Sequence, residues 1–510
     1  MTLARLVMRS LVYHRRTGLV AAFGLAIATA VVTGSLVIGD SVSGSLRDTA
    51  LSRLGRITHA LVSPRYVRAG LAQDISSDCV ALLAADGAAH QPQTDVVTPR
   101  VAVYGITRDF WEQFRIVGPM TVKSLSERGC ILNKALARDL GVSEGDSILV
   151  TLENRPEIAL DTLFARREIG DTAPTVRLTV EQVLDGGPAD FRLDSQNATP
   201  RNVFVDRDWL AKRLGRAGEA NVLLASADPQ DEYATGALED QLGKSARLSD
   251  HGLTLTSTAG GYLSLESKGT LLSRTQAALT ETAAQATGGQ ARATSVYLAS
   301  EITAPGRPGA RSIAYCVVCG IDAPLAPGSE DFPGPGEVWL NDWAANDMGV
   351  SVGDDLRIAY MVPTESGEYP ERELSLRLTR IVPLAGEFAD PALVPTFEGI
   401  TDAATIDAWD PPFPVDLSKI TQRDEDYWDK HRATPKAFVN MSAAGEMWQG
   451  GPQGEAADWI TSVRIYPPYG ADTAAYQRSL ATALRHVLTP DVSGLSFRPL
   501  REMALRGSQG

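Results

Sequence analysis

The sequence predicts an α+β chain: one N-terminal transmembrane helix with a stalk, then two related, mostly-β extracytoplasmic domains with an α/β layer and a helical connector. Three observations predict it. Residues 17–39 carry no charged side chain. A pattern of strand, short helix, turn and strand occurs twice, at 130–150 and at 338–358. Short apolar and alternating runs bounded by Gly, Pro and Asp surround both copies, as strands do.

The charge-free run reads TGLVAAFGLAIATAVVTGSLVIG. At roughly 1.5 Å per residue it is long enough to cross a hydrocarbon core of about 30 Å. Arg5, Arg9, Arg15 and Arg16 precede it with no acid among them, which favours a cytoplasmic N-terminus and an exterior bulk. A cleaved signal peptide is the competing reading. Ala28-Thr29-Ala30 resembles a cleavage site, but Val31, Val32 and further apolar residues follow it. Leu3, Leu6, Val7 and Leu11 share a helical face before the span, so residues 1–16 read as an amphipathic helix in the cytoplasmic interface. Val42, Leu46, Ala50 and Leu54 step by four after it. The helix therefore continues outward as a stalk, assigned to 40–60 and ending near Gly55.

The chain has 510 residues and a formal net charge of −14. The first sixteen residues carry +4, so the remainder carries −18. An acidic exterior argues against nucleic acid as a partner. Hydrophobic content of 44% fits folded domains.

In the repeated pattern, Cys130 to Val150 matches Val338 to Ile358 without gaps at Asn133/Asn341, Asp139/Asp347, Gly141/Gly349, Gly145/Gly353 and Asp146/Asp354, among others. Each copy reads as a strand ending on an asparagine that caps a helix. A glycine in the left-handed region stops the helix, and Ser-x-Gly-Asp turns into the next strand. Three flanking segments run parallel as well: 100–106 with 311–317, 175–180 with 374–379, and 201–206 with 435–440. The first domain is assigned to 61–245 and the second to 303–460. The connector, 246–302, holds a helix expected over roughly Tyr262 to Ala286. A C-terminal α/β element, 461–510, alternates strand, helix and strand, and Leu61-Val-Ser63 is a candidate to join its layer.

Chemistry-bearing motifs are sparse. The sequence has no Gly-x-x-x-x-Gly-Lys-[Ser/Thr] loop and no His-Glu-x-x-His. Gly141-Val-Ser-Glu-Gly145 and Gly349-Val-Ser-Val-Gly353 have Gly-x-Ser-x-Gly spacing, but in a helix-to-strand turn, not in the strand-to-helix elbow of a nucleophile. No catalytic, cofactor-binding or metal-ligating residue is assigned, and the chain is not read as an enzyme. Cys316-Val-Val-Cys319 has C-x-x-C spacing but lies in a strand-like run, where residues three apart point to opposite faces. Buried strand cysteines are the reading. Asp424-Glu-Asp-Tyr-Trp-Asp429 is the densest acidic and aromatic segment. As an exposed loop entering a strand at Lys436, it offers Asp424, Glu425, Tyr427 and Trp428 as a docking surface. The competing reading folds it onto its own domain with Trp428 buried.

The opening Arg9-Ser-Leu-Val-Tyr-His-Arg-Arg-Thr17, the small-residue-rich span and Gly39-Asp-Ser-Val-Ser-Gly-Ser-Leu46 resemble the start of an ABC transporter permease of the MacB/LolE/FtsX type. Leu132-Asn to Leu140-Gly-Val-Ser-Glu-Gly-Asp146 resembles the small β-domain in that family's periplasmic core. The 424–439 run resembles large permeases of the group with enlarged outer domains. The resemblance implies an inner-membrane location and a separate cytoplasmic ABC ATPase subunit that binds the ATP. It also implies membrane lipid and a second permease half or a homodimer as partners. ATP hydrolysis would move the outer domains to export or extract a substrate. The family carries further transmembrane helices after the core, so the chain is expected to be a permease subunit or its N-terminal part. The alternative is a single-pass anchored periplasmic binding protein without transport activity.

Overall fold

The computed structural model describes residues 3–113, 125–153, 174–194, 198–228, 231, 233–325, 331–364, 368–397, 399–409, 413–449 and 458–507. Helix α1 (Leu3–Tyr13) breaks at His14, and α2 (Arg15–Leu54) then runs for 40 residues without interruption. Gly55, at φ 55°, stops it. Span and stalk are thus one helix. Residues 59 and 60, assigned to the stalk, already belong to the first strand.

The chain continues through β1 (His59–Arg68), α3 (Leu71–Ile75), β2 (Cys79–Gln91), β3 (Val96–Ile106), α4 (Arg108–Glu112), β4 (Gly129–Asn133) and α5 (Lys134–Leu140). Then come β5 (Ser147–Leu152), β6 (Thr175–Leu184), β7 (Asn202–Asp206), α6 (Arg207–Arg213), β8 (Glu219–Ala225) and α7 (Ala234–Ser245). A second series follows: β9 (Leu253–Ser257), β10 (Leu263–Ser267), α8 (Arg274–Ala286), β11 (Gln290–Thr303), β12 (Ile313–Ile321), β13 (Glu337–Asn341), α9 (Asp342–Met348) and β14 (Asp355–Met361). It ends with β15 (Glu371–Val382), α10 (Gln422–His431), β16 (Ala437–Asn440), α11 (Met441–Gln449), β17 (Ser462–Tyr466), α12 (Thr473–Val487), β18 (Phe497–Arg498) and α13 (Leu500–Gly507).

Among the described residues, two nine-stranded sheets result. In the first, β2–β3–β7–β4–β6–β5 closes on itself through the β2–β5 pairing, and β8, β1 and β18 extend from β2. In the second, β11–β12–β16–β13–β15–β14 closes through β11–β14, and β17, β10 and β9 extend from β11. Both closed rings contain two parallel pairs at matching places, β3–β7 with β4–β6 and β12–β16 with β13–β15. Closure leaves the rings no free strand edge. The apolar cores fill from alternate strand positions: Leu83, Val103, Leu132, Val150, Val180 and Val203 in the first unit, and Val296, Val318, Leu340, Ile358 and Leu378 in the second.

Four expectations need correction. The helix placed over Tyr262 to Ala286 begins at Arg274. Leu263 and Leu265 alternate with Ser264, so this stretch is strand β10, and a Ser273–Gln276 capping box starts the helix only later. Residues 246–302 are therefore no separate helical connector, since β9, β10 and β11 belong to the second sheet. The 461–510 tail is divided: β17 lies inside the second sheet, while β18 pairs with β1 of the first through Leu61↔Phe497. Residues 61–63 do lie in the strand beside it. Finally, two of the parallel segments are out of register. Phe204 on β7 faces Tyr104, and Phe438 on β16 faces Cys319. Val101 to Ile106 therefore corresponds to Cys316 to Ile321, four residues from the expected match. Gly145 N donates to Val180 O at 2.7 Å and Gly353 N to Leu378 O at 2.8 Å, so 175–180 is offset by one. A one-residue slip exchanges the faces of a strand, which is why the inward residues decide.

Candidate functional site

The repeated modules share their local geometry. Asn133 caps α5 by accepting from Leu136 N at 3.2 Å, and Asn341 caps α9 by accepting from Ala344 N at 2.8 Å. Gly141 (φ 66°, ψ 35°) and Gly349 (φ 71°, ψ 34°) are left-handed stops. Gly145 and Gly353 lie at φ 96° and 100°. Asp146 Oδ2 accepts from Ser143 N at 2.8 Å and Asp354 Oδ2 from Ser351 N at 2.7 Å, closing the same turn twice.

Where the asparagines differ, the difference has a use. Both are fully buried. Asn341 Nδ2 donates to Tyr427 Oη at 3.0 Å and to Pro435 O at 3.1 Å. Asn133 Nδ2 donates to Pro200 O and to Asp190 Oδ1, each at 2.8 Å. Asp190 ends the 3-10 turn Gly187–Asp190, which packs against α2. The first module is thereby wired to the stalk, and the second to α10.

The stalk ends in a seat. Leu54 and Ile57 are buried with Ala60, Val80, Leu82, Val222 and Leu224 of the first sheet, together with Phe110 of α4 and Leu500 of α13. Each fully buried Leu or Ile here contributes about 1.5–3 kcal/mol. Arg56 N donates to Gln113 O at 2.9 Å, and Arg501 N to Thr58 O at 3.1 Å. Helix α13 packs on α2 itself. The end of α2 and the last described helix thus meet at one place.

Asp424, Glu425, Tyr427 and Trp428 form no exposed loop. They lie in α10, whose start is a Thr421–Asp424 capping box. Tyr427 and Trp428 are 3% and 4% exposed. Asp424 pairs with Lys436 Nζ at 3.0 Å. Burial opposes its charge, but Lys436 and Thr421 outweigh burial and hold the carboxyl below its usual range. The helix forms because the cap answers its first N–H groups and its aromatic side faces the core. Of the docking surface proposed for these residues, Asp424, Tyr427 and Trp428 are buried and Glu425 is half-buried.

Cys79, Cys130, Cys316 and Cys319 are free and buried, and burial pushes each thiol up to about 12. Among the described residues, no group of three or more His, Cys, Asp and Glu could hold a metal ion. Arg5, Arg9, Arg15 and Arg16 lie exposed on α1 and the first turn of α2. Among the described residues, α2 is the one helix long and apolar enough to cross a membrane.

Sequence reasoning did not single out Asp190, Leu500 or Arg464. Arg464 is 2% exposed, lies 4.1 Å from the Tyr262 ring centroid, and has Nη2 3.7 Å from Asp390 Oδ2. Its strand, Ser462-Val-Arg-Ile-Tyr466, shows strict alternation, but alternation places a charge on the solvent face by default.

No protein-family model and no curated protein matches the chain. Among solved structures, it is similar to the periplasmic region of MacB from Actinobacillus actinomycetemcomitans, at 9% identity and a TM-score of 0.25, over 38% of this chain and 86% of that one. It is also similar to the extracellular domain of the noncanonic ABC-type transporter YknZ from Gram-positive bacteria, at 12% identity and a TM-score of 0.23, over 36% of this chain and 94% of that one. These two structures are a periplasmic region and the extracellular domain of an ABC-type transporter.

Proposed function

We propose that the chain is a permease-type subunit of an ABC transporter, or the N-terminal part of one. In this reading its N-terminus is cytoplasmic, α2 crosses the inner membrane, and residues from Asp40 onward lie outside. Work done by a separate ATPase reaches the outer domains through α2 and moves them to export or extract a substrate. The observation that carries this reading is the continuity of α2. One uninterrupted helix links the apolar span to a buried seat, so an axial or tilting displacement at its inner end reaches the first sheet without an intervening joint. The 3-10 turn at Asp190 and α13 hold that end from two sides.

The alternative, an anchored binding module, drew its support from the aromatic and acidic surface at 424–428. Burial of Tyr427 and Trp428 withdraws that support.

Topology and partner test the proposal together. Tyr13 and Tyr469 are exposed on opposite sides of the span in sequence. In intact cells, Tyr469→Cys should react with a membrane-impermeant maleimide, and Tyr13→Cys should react only after permeabilisation. An ABC ATPase should co-purify with the detergent-solubilised chain. Labelling of Tyr13→Cys in intact cells would overturn the orientation. Correct topology without a bound ATPase would favour the anchored module.

A further inference from the structure

Each unit ends in an arm that finishes in the sheet of the other. After α7, residues 246–252 leave the first unit and enter β9, which pairs with β10 of the second through Leu255↔Leu265. After α12, residues 488–496 leave the second unit and enter β18, which pairs with β1 of the first through Phe497↔Leu61. The core contacts follow the same crossing. Ala246 is buried in the first unit, and Leu253 is buried among Leu263, Ile465 and Leu480 of the second. Leu488 is buried in the second, and Leu495 and Phe497 are buried among Leu61, Ala81 and Leu223 of the first.

The arms also share a sequence. His251-Gly-Leu-Thr-Leu255 aligns with Ser493-Gly-Leu-Ser-Phe497. Gly252 and Gly494 hold φ 72° and 68° at the same point of each arm, the left-handed turn that feeds the strand. The preceding residues, His251 and Ser493, are both buried and contact each other, with Nδ1 to Oγ at 2.6 Å. Equivalent positions touching each other is the mark of an isologous contact. Asp250, fully buried, fastens the crossing to β1 by accepting from Arg68 N at 3.0 Å and Arg68 Nη2 at 2.8 Å. The crossing sits beside the irregularity of β1 between Val62 and Val67, where Arg65 donates to His251 O.

We infer that the two units are an internal duplicate joined by reciprocal strand exchange, and that the exchanged arms make them one cooperative body. Neither sheet has its outer strand without the other unit, and the apolar layer under each three-strand extension is completed by the other unit's residues. This inference stands apart from the transport reading. The outer strand positions beside β1 and β10 are interaction surfaces whose partner is the other half of the same chain.

Amide hydrogen exchange of the full chain, read peptide by peptide, tests it. Leu132 is buried in the first unit, far along the chain from either arm. Leu132→Ala should speed the slowest amides of β4 on the order of a hundredfold. With one body, the slowest amides of β13 and β16 in the second unit speed by the same factor. Their remaining unchanged would overturn the inference. A second comparison isolates the arms. In Leu253→Ala/Leu495→Ala/Phe497→Ala chains, which weaken both arms, adding Leu132→Ala should leave β13 and β16 unmoved. Continued acceleration there would refute the role of the arms and place the coupling elsewhere. The milder set Leu132→Val, Leu253→Val and Phe497→Leu gives the same comparison if the alanine variants do not fold.

Discussion

Replacing Lys436 with methionine should destabilise the chain by about 3–5 kcal/mol at neutral pH, the range for removing one partner of a buried ion pair. The structure sets this size. Lys436 and Asp424 side chains are 6% and 8% exposed. The ammonium also lies 4.6 Å from the Trp343 ring centroid and 4.8 Å from that of Tyr427, contacts of about 1 kcal/mol that fall inside the same range. Methionine keeps most of the stem's volume, so the loss is one of charge. Asp424 would retain Thr421 N at 3.1 Å and Thr421 Oγ1 at 2.7 Å, which holds the cost below that of a bare buried carboxylate. Adding Asp424→Asn should restore most of the stability. The assay is urea unfolding followed by tryptophan fluorescence, because Trp343 lies against the Lys436 ammonium and the buried Trp428 is on the same helix as Asp424. The pH dependence gives a second reading. In the native chain the Asp424 carboxyl is held below its ordinary value. Its contribution is therefore present above the unfolded pKa near 4 and is lost as pH falls through the lower folded value. Without Lys436, burial is opposed only by the Thr421 hydrogen bonds, so the folded pKa rises from its native value. The variant's deficit should then shrink as pH falls from 7 into the carboxylate range. A deficit under 1 kcal/mol, or one constant across that range, would refute the reasoning.

Alanine at Gly141 or Gly349 should cost about 1 kcal/mol or more, since both stops need positive φ; equal denaturation midpoints with wild type would contradict the shared turn geometry. Asn133→Ala should cost about 2–4 kcal/mol by removing a cap and orphaning the Asn202 N–H and Asp190, whereas exposed Lys134→Ala should stay within about 0.5 kcal/mol; thermal unfolding separates the two. At pH 8 the four thiols, pushed up to about 12 by burial, should resist maleimide in the folded chain and all react in urea, as read by mass.

Local chemistry was legible in the sequence, and long-range pairing was not. The Asn133 cap on Leu136, the Gly141 stop and the Asp146–Ser143 turn act within a few residues, so their spacing alone states their geometry. The span and stalk were legible for the same reason, because helical periodicity is local. The register of 100–106 against 311–317 failed because Tyr104 resembles Tyr315 as a letter, while the sheet position of Tyr104 is matched by Cys319. Only strand pairing distinguishes these. For the 424–431 segment the docking reading rested on acids that suggested solvent; the competing reading, with Trp428 buried on its own domain, is what the structure has, as a helix in place of a loop. Asp424 is spent on the cap of its own helix and on Lys436, twelve residues away. The exchange of β9 and β18 could not be read from either arm, since each looks like an edge strand of its own unit.

Why the stalk sits on the first unit follows from residue chemistry at matched sheet positions. Ala60 faces Leu224 across β1–β8, and Leu224 faces Val80 across β8–β2. The matching triple in the second unit is Ser264, Arg464 and Arg292. One step along, Val222 and Leu82 are matched by Ser462 and Thr294. In the first unit this face is apolar throughout, and Leu54, Ile57 and Leu500 close it. In the second it is polar, and it is closed by polar partners: Asp390 accepts from Tyr262 Oη at 2.6 Å and neighbours Arg464. An apolar helix end placed on Arg464 and Arg292 would desolvate two guanidinium groups without answering them, at a cost of several kcal/mol. The two units therefore share connectivity but differ in the one surface that accepts a helix from the membrane. Any displacement of α2 enters through the first unit and reaches the second through the contacts between them, among which are the exchanged arms with Leu253, Leu495 and Phe497 buried.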